Sequence, residues 1–176
     1  MGIREIPDIY VIQSGGLLNA FATRFFGRNF IVLYSDIFQL YEKHEKELFF
    51  VIAHELAHIQ RKHISKRLLI LPAMWIPFLG NAYSRACEYS SDRIATAYLK
   101  DTEAAINGLT ILAIGKELFT RVNVEDYILQ HKKEAGFFTW FSRILSTHPP
   151  LPKRIEEIKG VSSSYQMNND FTYHLQ

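Results

Sequence analysis

The sequence predicts an α+β domain, with a small N-terminal sheet, antiparallel or mixed, packed on a mainly helical body. Three observations carry this. Short β-branched and aromatic runs cluster before residue 35, helical periodicity dominates beyond residue 45, and no internal repeat interrupts the order. At 176 residues, with 48% hydrophobic and 22% charged side chains, the chain can bury a single core and is not disordered. Residues 1–160 are read as one domain and 161–176, rich in Ser and Asn, as a loose polar tail.

The elements follow in order. Asp8 to Gln13 and Phe30 to Tyr34 read as strands, and the Gly15-Gly16 turn leads into another extended segment through Thr23. Ser35-Asp36 can start a short helical turn ending at Leu40. From Lys46 to His63 the helix is apolar on nearly every side, so it should be central and buried. Further helices are expected over Ala82 to Lys100, Glu103 to Phe119, Asp126 to Lys133 and Phe137 to Leu145. After Pro149-Pro150 a last helix over Lys153 to Lys159 should stop at Gly160.

Composition removes several function classes. Twenty Lys+Arg against 18 Asp+Glu leave a net charge of +2, without the basic excess of a nucleic-acid binder. One cysteine, Cys87, excludes an internal disulfide framework and a cysteine-based zinc knuckle, and reads as a small buried hydrophobe. The N-terminus lacks a signal-peptide profile, and Ile6 stands where a myristoylation signal wants Ser or Thr. With the lone cysteine, this gives a cytoplasmic expectation, extending to the cytoplasmic face of a membrane.

The chemistry centres on His54-Glu55-Leu56-Ala57-His58 within the buried helix. Positions i and i+4 share a helix face, so both imidazoles can reach one ion, with Glu55 beside it to hold a water. Random orders of this composition would produce the pattern roughly once in fifty shuffles, so placement on a buried helix matters. A catalytic zinc takes three protein ligands and keeps one position open. Glu88 and Asp92, again i and i+4, can supply a carboxylate ligand and an acceptor that orients a ligand histidine. The competing reading is a solvated face with Arg85 and Arg93 as ion-pair mates. His148 sits before two prolines and Arg154 opens the next helix. This pair can donate to the oxyanion formed when water attacks a carbonyl, or be a surface loop residue and its neighbour.

Together HELAH at 54–58, RACEYSSD at 85–92 and STHPPLPKRI at 146–155 resemble the gluzincin zinc metallopeptidases that include HtpX and the CAAX prenyl endopeptidase. GGLLNAFA at 15–22 and IVLYSDIF at 31–38 resemble the same family's segment before the active-site helix. The resemblance spans residues 7–160 and implies a zincin-like metallopeptidase fold with a central HExxH helix. It further implies one zinc ion held by His54, His58 and Glu88, with Glu55 as general base and acid and Asp92 orienting a ligand histidine. His148 and Arg154 fall at transition-state-stabilising positions, and Asn19, Ala20 and Phe21 lie where an extended polypeptide substrate could add as a strand. The implied activity is endopeptidase cleavage of extended or unfolded polypeptide. The alternative is a non-catalytic or latent metal-stabilised domain that binds peptides or proteins.

Membrane members of that family carry transmembrane helices between the HExxH helix and the glutamate ligand. Here the interval holds only the 13-residue run Leu68 to Gly80, broken by Pro72 and Pro77 and shorter than the roughly 20 apolar residues of a span. The chain therefore resembles the minimal soluble members, or minigluzincins, and is expected to be monomeric or weakly associated. The run is expected to be a buried connector. The alternative, suggested by Arg61, Lys62, Lys66 and Arg67 ahead of it, is peripheral membrane contact. His44, His63, His131 and His174 have no partner at ligand spacing and are expected at the surface, although His174 in the tail could fold back onto the metal.

Overall fold

The computed structural model describes residues 1–161 except 4, 14, 17, 41, 77, 116–118, 120, 122, 134, 135 and 137–143. The expected helix over Phe137 to Leu145 and the tail with His174 thus lie almost wholly outside the described residues.

Strands β1 (Asp8–Ile12), β2 (Ala20–Phe25) and β3 (Arg28–Tyr34) form a mixed sheet in the order β1-β3-β2. β1 runs parallel to β3 and β2 antiparallel to it, with Phe25 opposite Arg28 and Ala22 opposite Ile31. The two-residue hairpin turn is Phe26-Gly27, both at positive φ (45° and 81°), as a tight turn matching the strand twist requires. A 3-10 turn over Ser35–Leu40 follows. Its Asp36 reaches back to accept the Gly16 N–H at 3.0 Å, joining the expected glycine turn to the end of the sheet.

The central helix α1 spans Glu45–Gln60. It ends three residues earlier than the periodicity suggests, because Lys62 turns left-handed (φ 55°) and starts a separate α2, His63–Leu69. A 3-10 segment, Leu71–Trp75, leads to α3 (Leu79–Leu99) and then α4 (Thr102–Ile114). Asp101 caps α4 by accepting the Ala104 N–H at 3.0 Å. Gly115, at φ 83°, ends α4 before the expected Phe119. Helix α5 covers Val124–Lys133, and α6, residues 151–161, runs through Gly160 rather than stopping at it.

Helix α1 is the hub, packed between the sheet and α3 with α4. On the sheet side Leu48 and Val51 meet Ile31, Leu33, Ile37 and Ile111. On the other side Phe50 and Ala53 meet Ala95, Leu109 and Ile158. Gly108 lets α4 approach this closely, since a β-carbon there would stand 3.0 Å from the Phe50 ring and 3.2 Å from the Glu47 carbonyl. The Leu68–Gly80 run departs from the buried connector expected. Leu69 is 81% and Trp75 91% exposed, with Leu71, Ile76, Phe78 and Leu79 exposed beside them. No described helix is long and apolar enough to cross a membrane.

Candidate active site

Helix α1 presents His54 and His58 one turn apart, and α3 presents Glu88 and Asp92 one turn apart against them. The two imidazole Nε2 atoms stand 3.1 Å apart. Glu88 places Oε2 3.6 Å from His54 Nε2 and Oε1 3.4 Å from His58 Nε2. Ligands about 2.0–2.1 Å from a tetrahedral ion lie roughly 3.3 Å from one another, so this triangle has the dimensions of three metal ligands with a vertex left over. Among the described residues, these three form the cluster able to hold an ion.

The surroundings agree with a cation there. His54 is buried, which alone would lower its pKa, yet the Asp92 and Glu88 carboxylates raise it to about 10. Burial would likewise raise Glu88, but the His148, His54 and His58 side chains hold it below the ordinary carboxylate range. The imidazoles thus sit in an excess of negative charge, which a divalent ion would offset better than a single proton. His54, His58 and Glu88 therefore fit a zinc ion.

Asp92 is fully buried behind His54. Its Oδ1 lies 2.9 Å from His54 Nδ1, as an ion-pair contact. Burial would raise the Asp92 acid, but Arg154 more than offsets it and holds the carboxylate ionised. Arg154 donates from Nε to Oδ2 and from Nη2 to Oδ1, both at 2.7 Å. Arg154 was expected to face a developing oxyanion. Two of its N–H groups hold Asp92, and Nη2 also lies 3.3 Å from Glu88. Arg85, the alternative ion-pair mate, donates instead to the Ile144 and Ser146 carbonyls at 3.0 and 2.8 Å, tying that segment to α3. His148, held beside it, keeps a 71% exposed side chain with Nδ1 3.7 Å from Glu88 Oε2.

His63 was expected at the surface and is instead half-buried in the site. The break at Arg61-Lys62 swings it under His58, Nδ1 to Nδ1 at 3.2 Å, while its Nε2 lies 3.2 Å from Ser90 Oγ. Ser90 in turn donates to the Cys87 carbonyl at 2.9 Å. Burial, then His58, lowers the His63 pKa to about 4, so the ring is neutral and can accept one hydrogen bond while donating another. With His58 Nε2 turned toward the ligand triangle, the chain reads in one direction: His58 Nδ1–H to His63, His63 Nε2–H to Ser90, Ser90 O–H to Cys87. The i+5 spacing of His63 from His58 hides this in the sequence, since an unbroken helix would point the two apart. Cys87 itself is buried, as expected.

Glu55 is partly buried, which pushes its carboxyl upward, and its Oε2 accepts the Ala22 N–H at 2.7 Å. That bond lays the edge strand β2 along the base. Asn19, Ala20 and Phe21 line one wall of a cleft of about 620 Å³, His54, Glu55 and His58 its floor, and Glu88, His148 and Arg154 lie opposite.

The profile of Peptidase family M48 matches residues 1–76 and 69–162, nearly the whole chain. The chain belongs to peptidase family M48. M48 peptidases are zinc-dependent metallopeptidases, which bears out the family expected from the motifs and gives the ligand triangle its chemical context. A beta-barrel assembly-enhancing protease of Yersinia pestis is 34% identical over 79 residues, 43% of this chain and 15% of that protein. The protein of the same name from Escherichia coli K12 is 37% identical over 81 residues, 44% of this chain and 16% of that protein. This M48 chain thus spans about a sixth of the length of the curated relatives it matches. No solved structure gives a significant match.

Proposed function

We propose that the protein is a zinc endopeptidase of zincin-like fold that cleaves extended or unfolded polypeptide. The observation that carries the reading is the His54, His58 and Glu88 triangle, open toward a cleft where Glu55 and the edge of β2 meet. Zinc bound there would polarise a peptide carbonyl and lower the pKa of water to about 7. Glu55 would take the proton from the attacking water and return it to the leaving amine. Its partial burial serves both halves, since a carboxyl whose pKa is raised holds the proton it has taken more readily and can then return it. Asp92, clamped by Arg154, would fix the His54 ring, and exposed His148 can swing toward the oxyanion. The substrate would lie along Asn19, Ala20 and Phe21 as an added strand.

A latent or non-catalytic peptide-binding domain is the second reading, favoured by one observation. Glu55 Oε2 is already taken by the Ala22 N–H, on the strand that a substrate would pair with. Metal analysis and turnover of an unfolded protein substrate separate the two. One zinc per chain, lost in His54→Ala, with proteolysis that vanishes in a zinc-loaded Glu55→Gln variant, is the expected result. Zinc binding with no wild-type turnover would leave the second reading, and proteolysis by zinc-loaded Glu55→Gln would remove Glu55 as the base.

A further inference from the structure

Two apolar projections stand side by side away from the core. One is the hairpin tip, where Phe25 is 65% and Phe26 91% exposed. The other runs from the end of α2 to the start of α3, with Leu69, Trp75 and Ile76 at 81%, 91% and 57%. Arg24 Nη1 donates to Ser65 Oγ at 2.6 Å, which fixes the hairpin against α2 and sets both projections on one side. Left-handed Phe26 and Phe78 hold the backbone at the two bends, φ 45° and 70°.

Charge is distributed with equal bias. From Leu56 to Cys87 the sequence contains no Asp or Glu, and from Asn19 to Tyr34 none either. The same stretches carry Arg24, Arg28, Arg61, Lys62, Lys66 and Arg67, all exposed. None of the six has an acidic partner among the described residues. Aromatic side chains protrude from both projections, with exposed cations in the same stretches of chain. They match a headgroup layer, with indole and phenyl rings at the acyl boundary and cations among anionic lipids.

We propose that the Phe25-Phe26 tip and the Leu69–Leu79 segment dock the protein on an anionic lipid bilayer as a peripheral, two-pronged anchor. Arg67 and Ile64 also line the cleft, so docking sets the cleft mouth beside the bilayer. This stands independently of any peptidase activity.

The test is flotation of the full chain with vesicles of phosphatidylcholine mixed with phosphatidylglycerol, beside vesicles of phosphatidylcholine alone. The expected result is co-flotation with the anionic vesicles, weakened by salt. Lys66→Glu with Arg67→Glu should weaken it by at least about fivefold per cation, and Phe26→Ser with Trp75→Ser should abolish it. In a Trp140→Phe background, Trp75 emission should shift to the blue on adding anionic vesicles. Unchanged thermal melting shows that each variant folds. Absence of flotation at low salt, or flotation unaffected by both pairs of substitutions, overturns the proposal. So does a concentration-dependent dimer that dissociates in Trp75→Ser without any vesicle binding, which would assign the patch to a second copy of the chain.

Discussion

His63 shows how a side chain outside the ligand triangle can bear on it. Its neutral ring accepts from His58 and reaches Ser90, so the nitrogen that His58 turns toward the ion keeps its lone pair free. His63→Ala should weaken zinc affinity about 10–100-fold in a chelator competition, with His63→Gln recovering part of the loss because its amide can accept and donate. Ser90→Ala should have a smaller effect in the same direction. Arg154 gives a second case. Two of its donors match the two oxygens of a fully buried Asp92, so Arg154→Ala strands a buried carboxylate. Removing one partner of such a pair costs about 3–5 kcal/mol, which denaturant unfolding would register, whereas His148→Ala at an exposed side chain should leave stability unchanged. The candidate metal ligands His54 and His58 were legible in the sequence because i and i+4 spacing is a local property of a helix. The partners of His58 and Asp92 were not, since they depend on a helix break and on a contact across 62 residues.

Among the elements, helix α4 has the most readable start. Asp101 opens it, its carboxylate accepting from Ala104 while also meeting Lys46 at 2.8 Å. The cap bond first, then the lysine, draws the Asp101 pKa below its ordinary value. A carboxylate depressed on folding stabilises the protein at pH above the unfolded pKa, and that contribution fades as pH falls through the lower folded value. Asp101→Ala should therefore cost about 1 kcal/mol near neutral pH and progressively less in acid, read as converging melting curves of variant and wild type. The exposed lysine pair adds little to that. Helix ends were less legible than helix starts. The α1–α2 break falls at left-handed Lys62, a residue that rarely marks one, and α6 runs through Gly160, which usually does.

At the scale of the whole molecule, the ion would join two helices that are neighbours in space but separated in sequence, α1 through His54 and His58 and α3 through Glu88. A ligand that binds only the folded state stabilises it by about 2.7 kcal/mol at a hundredfold excess over its dissociation constant. Chelation should thus lower the melting temperature of the wild type and leave that of His54→Ala untouched, as calorimetry with and without chelator would show. The α+β order, with its sheet before its helices, was legible from periodicity. The exposed Leu68–Gly80 run was not, because an apolar stretch of that length reads as core until its neighbours are known. The edge of β2 has one further consequence. In its pairing with β3, the N–H groups of Ala20 and Ala22 point outward, and both already have acceptors, Asn19 Oδ1 at 2.9 Å and Glu55 Oε2 at 2.7 Å. Neither of these two donors is therefore free to a new strand at that stretch of the edge. A strand added at Ala20 and Ala22 would exchange those two hydrogen bonds rather than gain them, which shifts the burden of selectivity toward its side chains.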